Sequence, residues 1–195
     1  MDIGVLALQG AVAEHIRSIN RTGSEGTPIK KVEQLETVDG LIIPGGESTT
    51  IGKLMRKYEF IDAIREFSAA GKPIFGTCAG LIVLAKEIAG GEEAHLGLMD
   101  IKVARNAFGR QRESFETDLT VKGIEEQVRA VFIRAPLILE VGDGVEVLST
   151  YNDEIVTARQ GHLLAASYHP ELTDDYRLHQ YFADMVQESA VAKKL

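Results

Sequence analysis

The chain of 195 residues has one cysteine, Cys78. A single thiol cannot close an internal disulfide or build a cysteine-rich metal site. No metal held by cysteines is therefore expected, and a reducing, cytoplasmic compartment is. Basic runs are also scarce: the longest are the pairs Lys30-Lys31 and Lys193-Lys194, in a chain with a formal net charge of −8. Its average field repels polyanions, which argues against a nucleic-acid partner. No apolar run approaches the roughly 20 residues that span a bilayer, so no membrane insertion is expected. The opening "MDIGVLALQGAVAEH" lacks a basic n-region and does not read as a secretory signal. Pro- or Ser-rich linkers, repeats and low-complexity segments are missing as well, so residues 1–195 read as a single domain. Hydrophobic residues make up 45% and charged residues 26%, the balance of an ordinary globular protein.

Strand and helix patterns alternate along the first half. "IGVLAL" (3–8) and "GLIIPGG" (40–46) are short apolar runs of the kind buried on both faces of a parallel sheet. After Gly10, Val12, Ile16 and Ile19 recur at helical spacing, and so do Phe60, Ile64 and Phe67 before the stop signals Gly71 and Pro73. The strand "PIFGT" and the helix "AGLIVLAKEI" follow. This alternation predicts a wound α/β sheet. The second half is β-rich: "LMDIKVAR", "SFETDLTV", "VRAVFIR", "VEVLSTYN", "EIVTARQ" and "HLLAASYH" read as strands, several antiparallel, that extend the sheet. The glycine-rich "GGEEAHLG" (90–97) reads as a mobile loop. Leu178, Tyr181, Phe182, Met185 and Val186 form the apolar stripe of a last helix.

Gly-Thr-Cys-Ala-Gly between a strand and a helix has the form of a nucleophile elbow. Such a turn strains the backbone at the nucleophile, and bulky residues two positions away would clash. Gly76 and Gly80 remove that clash. A helix beginning at Ala79 turns unpaired N–H groups toward the sulfur, an arrangement that suits an anionic nucleophile, and the Ala79 amide can donate to an oxyanion. The elbow alone does not separate a nucleophile from a small buried hydrophobe, which is a common state of free cysteine. A partner histidine decides the matter.

Five histidines are available. His15 and His179 fall on helices among charged residues and read as solvated. His95 lies in the glycine-rich loop, and His162 in a hairpin turn. His169 ends the strand "LLAASY" and precedes Pro170 and Glu171. The proline favours an extended backbone at His169, and in extended chain residues i and i+2 share a side. Glu171 can then orient the imidazole as the third member of a triad. An elbow cysteine and a strand-end His-Pro-Glu meet at one carboxyl edge of such a sheet.

"IIPGGESTT" (42–50) places a second tight glycine turn at a strand's end. It lacks the Gly-Lys-Ser/Thr of a nucleotide-binding loop, and Glu47 would repel phosphate. The Gly46 amide is better placed as the second oxyanion donor beside Ala79. A Ser/Thr cap of the following helix is compatible with that role.

These residues together resemble the class I glutamine amidotransferases, which are Cys-His-Glu glutaminases. More narrowly, the chain resembles the glutaminase subunits of pyridoxal 5′-phosphate synthases. The stretches that carry the narrower match are "GVLALQGAVAEH", "LIIPGGESTTI", "PIFGTCAGLIVLAKEI", "RNAFGRQRESFE", "VFIRAP" and "SYHPELT". "RTGSEGTPIKK" (21–31) matches least. The resemblance implies a flavodoxin-like three-layer sandwich, with helices on both faces of a mixed, mostly parallel sheet and with added antiparallel strands. It implies Cys78 as nucleophile, His169 as acid/base and Glu171 as its orienting partner. It implies L-glutamine bound at Gly46, Glu47, Ser48, Arg105, Ile133 and Arg134. Chemistry agrees on part of this, since an α-carboxylate needs a cation (Arg105 or Arg134) and an α-ammonium needs an acceptor (Glu47). No metal or organic cofactor is implied for the glutaminase reaction. The implied partner is a (β/α)₈-barrel synthase subunit that consumes ammonia, in an assembly of twelve copies of each chain. Two other readings use similar residues: a DJ-1-like or cysteine-peptidase hydrolase, and a non-catalytic scaffold subunit.

Overall fold

Short apolar segments become the centre of a ten-stranded sheet in the computed structural model, which describes residues 1–106 and 114–192. Along the chain, β1 (Asp2–Leu6), α1 (Val12–Arg21), β2 (Glu25–Ile29), β3 (Gly40–Ile43), α2 (Ser48–Lys57), α3 (Phe60–Ala69), β4 (Ile74–Thr77) and α4 (Ala79–Leu84) form the wound half. There follow β5 (Ala85–Ile88), β6 (Met99–Ala104), β7 (Ser114–Leu119), β8 (Val128–Ile133), β9 (Leu137–Val141), β10 (Glu146–Tyr151), β11 (Glu154–Gln160), β12 (Leu163–Ala166) and α5 (Arg177–Ala192). The sheet runs β2-β1-β3-β4-β12-β11-β9-β6-β5, with β10 on β11. Its β2-β1-β3-β4-β12 side is parallel throughout, and antiparallel pairing begins where β11 joins β12.

The pleat sends successive side chains to opposite faces, and the two cores follow from that. Leu41, Ile43, Ile74, Leu163 and Ala165 face a core closed by α2, α3 and α4, with Ile51, Met55, Phe60 and Leu81. Ile42, Phe75, Leu164 and Ala166 face the other, closed by α1 and α5 with Ile19, Leu178, Phe182 and Val186. A helix–sheet–helix sandwich is the result. Among the described residues no helix is long and apolar enough to cross a membrane.

Five elements differ from the sequence reading. "AGLIVLAKEI" is not one helix: α4 stops at Leu84, and residues 85–88 leave as β5, parallel to β6. Ala85 carries an extended backbone (ψ 142°), and Lys86 and Glu87 turn to solvent. "SFETDLTV" and "VRAVFIR" do not extend the main sheet. They pair with each other as a separate hairpin, β7–β8, whose Phe132 and Ala130 cover the α1/α5 core. β2 and β9 are strands that the sequence pattern does not reveal, because Gly26 and Pro28 interrupt one and Glu140 shortens the other. The diagnostic stretch at 105–116 lies only partly within the described residues, and Lys193-Lys194 lies outside them.

Two glycines bring β4 and α4 together as their spacing predicts. A Cβ on Gly76 would stand 2.4 Å from the Gly80 carbonyl oxygen, and one on Gly80 would stand 2.0 Å from that of Ile43. Both obstacles are backbone and cannot rotate aside. Gly80→Ala is expected to lower the unfolding free energy by about 1–3 kcal/mol, read from urea denaturation. A variant as stable as the parent would contradict the contact.

Candidate active site

Three parallel strands end side by side, and each delivers one part of a site. β3 leads into Pro44-Gly45-Gly46, β4 into Cys78, and β12 into Ser167-Tyr168-His169. The Cys78 amide donates to Ala166 O at 2.8 Å, which fixes the elbow to β12. Cys78 has φ 52° and ψ −111°, a conformation L-residues rarely adopt. Asn106 (φ 43°) and Arg134 (φ 44°) share its positive φ and line the same pocket. Three strained non-glycine residues around one hollow are the pattern expected where side chains must be aimed.

His169 lies against the thiol. A Cβ on Gly45 would be 2.8 Å from His169 Cε1 and 3.2 Å from Cys78 Cβ, so only glycine lets the loop lie across the pair. The preceding Tyr168 is fully buried on the opposite side, its hydroxyl 2.9 Å from Thr157 Oγ1. Burial holds that hydroxyl's pKa up, at about 12, so it stays a neutral anchor. The His169 amide donates to Val131 O in β8 at 2.8 Å. His169 Nδ1 is 2.6 Å from Glu171 Oε1. The sequence reading has the right pair by the wrong route: Pro170–Leu172 form a 3-10 turn, and this turn rather than extended alternation brings Glu171 under the ring. Burial works against charge on His169. Hydrogen bonds to Cys78 and Glu171, with the charges of both, outweigh it and raise the imidazole pKa to about 10.

Gly46, Glu47, Ser48, Cys78, Ala79, Arg105 and Arg134 border one open pocket of about 130 Å³. Ile133 reaches the site through its carbonyl, 3.9 Å from Cys78 Sγ. A larger hollow of about 500 Å³ beside Thr117 and Asn152 brings neither histidine nor cysteine to its walls. Among the described residues no cluster of three or more His, Cys, Asp or Glu is arranged to hold a metal ion.

Glu47 differs from expectation. Its carboxylate, not a Ser/Thr hydroxyl, caps α2, accepting from the amides of Thr49 (3.1 Å) and Thr50 (2.8 Å) and from both hydroxyls. The hydroxyls of Thr49 and Thr50 and their amides hold its pKa down at about 2, so it is a fixed anion. Arg105 Nη1 stands 3.7 Å from it, and Arg105 Nη2 donates to Ser48 Oγ at 2.5 Å and Glu92 Oε1 at 2.8 Å.

Sequence reasoning missed several neighbours. Glu92 belongs to the loop read as mobile, where His95 is buried and sits 3.4 Å from Glu92. Gln9 accepts from the Glu47 amide at 2.6 Å, and a Cβ on Gly46 (φ 139°) would strike its Oε1. His15 and His179, read as solvated, are 0% and 1% exposed. The helical periodicity of α5 around Leu178 and Phe182 was the signal for His179, which is next to Leu178 on the inward stripe.

The profile of the SNO glutamine amidotransferase family matches residues 5–188. A Niallia circulans protein named pyridoxal 5′-phosphate synthase subunit PdxT is 73% identical over 189 residues, covering 97% of this chain and all of that protein. The protein of the same name from Geobacillus kaustophilus is 61% identical over 195 residues, covering all of both chains. A crystal structure titled as a glutamine amidotransferase superposes with a TM-score of 0.90 at 52% identity, covering 95% of this chain and 98% of that one.

The raised pKa of His169 sets a pH dependence. Its stabilising contribution is fully present below about pH 6.5 and is lost as pH rises through about 10. Glu171→Gln removes one cause of that shift. The stability gap between parent and variant is expected to narrow as pH rises through that window, and the His169 ring is expected to titrate at lower pH by NMR in the variant. A parent ring that titrates near 6.5 would contradict the arrangement.

Proposed function

The chain belongs to the SNO glutamine amidotransferase family, and from that premise we propose how it works as the glutaminase subunit of a pyridoxal 5′-phosphate synthase. The overall reaction takes L-glutamine and water to L-glutamate and ammonia. The Cys78 thiolate attacks the side-chain carboxamide carbon, and the oxyanion accepts hydrogen bonds from the Gly46 and Ala79 amides. The His169 imidazolium already holds the proton that the departing nitrogen needs. Ammonia leaves, a glutamyl thioester remains, and neutral His169 draws a proton from the water that hydrolyses it. Glu171 keeps Nδ1–H directed at itself throughout, so that Nε2 works toward the substrate.

The single observation that carries this reading is the Cys78–His169–Glu171 line beside a pocket with fixed charges of both signs. Arg105 and Arg134 offer cations to the α-carboxylate. Glu47, with its position set by the α2 cap, offers an anion to the α-ammonium. The pocket volume is well below the roughly 300–1,000 Å³ of drug-sized ligand sites, which suits a free amino acid better than an extended peptide. A DJ-1-like site would set an acid from an early strand against the thiol, whereas Glu171 comes from the turn after β12 and faces the His169 imidazole.

Ammonia escapes into water as ammonium unless an acceptor enzyme sits alongside, so the partner is the synthase subunit of the same complex. We assign to it the (β/α)₈ barrel and the assembly of twelve copies of each chain implied by the sequence resemblance, in the cytoplasm.

Cys78→Ala is expected to abolish pyridoxal 5′-phosphate formation from glutamine in the complex while leaving formation from ammonium salt intact. Continued glutamine use by that variant would end the assignment. Arg105→Gln is expected to raise KM for glutamine roughly 10- to 100-fold, as the loss of a charged hydrogen bond worth about 1.5–3 kcal/mol implies. Steady-state ammonia release reads it, and an unchanged KM would remove Arg105 from the substrate site.

A further inference from the structure

The steps above leave two buried imidazoles without a task. His15 comes from α1 and His179 from α5, and the two meet behind the triad with His15 Nδ1 2.9 Å from His179 Nε2. The other nitrogen of His15, Nε2, lies 3.5 Å from Glu171 Oε2 and 3.3 Å from Thr77 Oγ1. Thr77 directly precedes the nucleophile. A continuous line of polar side chains therefore runs from α5 through α1 to the carboxylate.

Proton placement along this line follows from who can donate. Burial first, then the neighbouring imidazoles His179 and His169, hold His15 well below its ordinary pKa, and burial brings His179 to about 3. Both rings are neutral, and a neutral imidazole has one N–H. Were that proton of His15 on Nδ1, a lone pair on Nε2 would face the carboxylate oxygen. His179 would then carry its own N–H on Nδ1, a buried atom with no hydrogen-bond partner. The opposite placement avoids both faults. His179 Nε2–H donates to His15 Nδ1, His15 Nε2–H lies between Thr77 Oγ1 at 3.3 Å and the more distant Glu171 Oε2 at 3.5 Å, and the atom left over is a lone pair. Glu171 Oε2 is buried and has no hydrogen bond of its own, while Oε1 is engaged by His169. A carboxylate held at one oxygen can swing, and one held at both cannot.

We propose that His15, backed by His179, is a positioning residue for the reaction: it presents Nε2–H to the free oxygen of Glu171 and thereby fixes the plane in which that carboxylate meets His169. Neither imidazole borders the substrate pocket, so the role concerns turnover rather than glutamine affinity. The inference rests on the glutaminase reading and deepens it.

The test compares the full-length parent with His15→Leu, His15→Gln and His179→Leu. Each is measured for ammonia release from glutamine with the synthase partner present, for the rate of iodoacetamide alkylation of Cys78, and for cooperative melting. His15→Leu fills the space without a donor and is expected to lower kcat roughly 10- to 100-fold, the scale of a small misplacement, with KM little changed and alkylation slowed. His15→Gln sets an amide donor near the Nε2 position and is expected to restore most of both. His179→Leu is expected to lose less than His15→Leu. Parent-like kcat in folded His15→Leu would overturn the proposal, and so would equal losses in His15→Leu and His15→Gln. Should His15→Leu not fold, unchanged kcat and alkylation in His179→Leu would overturn it. A parent that is alkylated rapidly yet releases no ammonia from glutamine would defeat the glutaminase reading instead, and the alkylation rates would still decide the role of His15.

Discussion

The close approach of three backbones at the end of β4 is the constraint on which the rest depends. Gly76 and Gly80 lie against each other and against Ile43, and Gly45 lies across Cys78 and His169. A Cβ on Gly76 or Gly80 would strike main chain, and one on Gly45 would strike the side chains of His169 and Cys78. The absence of side chains thus permits the sharp turn, the turn gives Cys78 its left-handed backbone, and that backbone lifts the sulfur out of the sheet toward the imidazole. Stability and chemistry are set by the same three glycines, because the strained φ at Cys78 persists only while the surrounding contacts hold it.

Electrostatics at the site is arranged in the same economical way. His169 is buried enough that a lone imidazolium would be disfavoured, yet partners on both of its nitrogens reverse the balance. Glu47 illustrates a second device: its charge is secured by helix-cap hydrogen bonds from Thr49 and Thr50 rather than by an ion pair, so the anion exists before any ligand arrives. Arg105, placed between Ser48, Glu47 and Glu92, is likewise fixed in advance. Pre-set charges lose little entropy on binding a small zwitterion.

Much of this was legible in the residues. Apolar runs marked β1, β3 and β4, glycine spacing marked the elbow, and a proline after His169 marked the end of β12. What stayed hidden depends on the third dimension. Nothing local distinguishes "SFETDL" as half of a separate hairpin from a strand added to the sheet's edge, because both alternate with period two. "AKEI" follows a helix former's pattern and still becomes β5, since a parallel place beside β6 outweighs a weak propensity. His15 and His179 looked solvated because charged neighbours flank them in sequence. Their helices pack so that His15 turns toward Thr77 and Glu171 with His179 behind it, a fact of packing that no window of residues contains.

The solitary thiol has a further consequence, in redox chemistry. An oxidant that reaches Cys78 would form a sulfenic acid, and with no other cysteine in the chain there is no resolving thiol to capture it as a reversible disulfide. Recovery would then rest on thiols from outside, such as glutathione, entering by the pocket that Cys78 lines. With only 7% of Cys78 exposed, that pocket shields the sulfur and also restricts its repair.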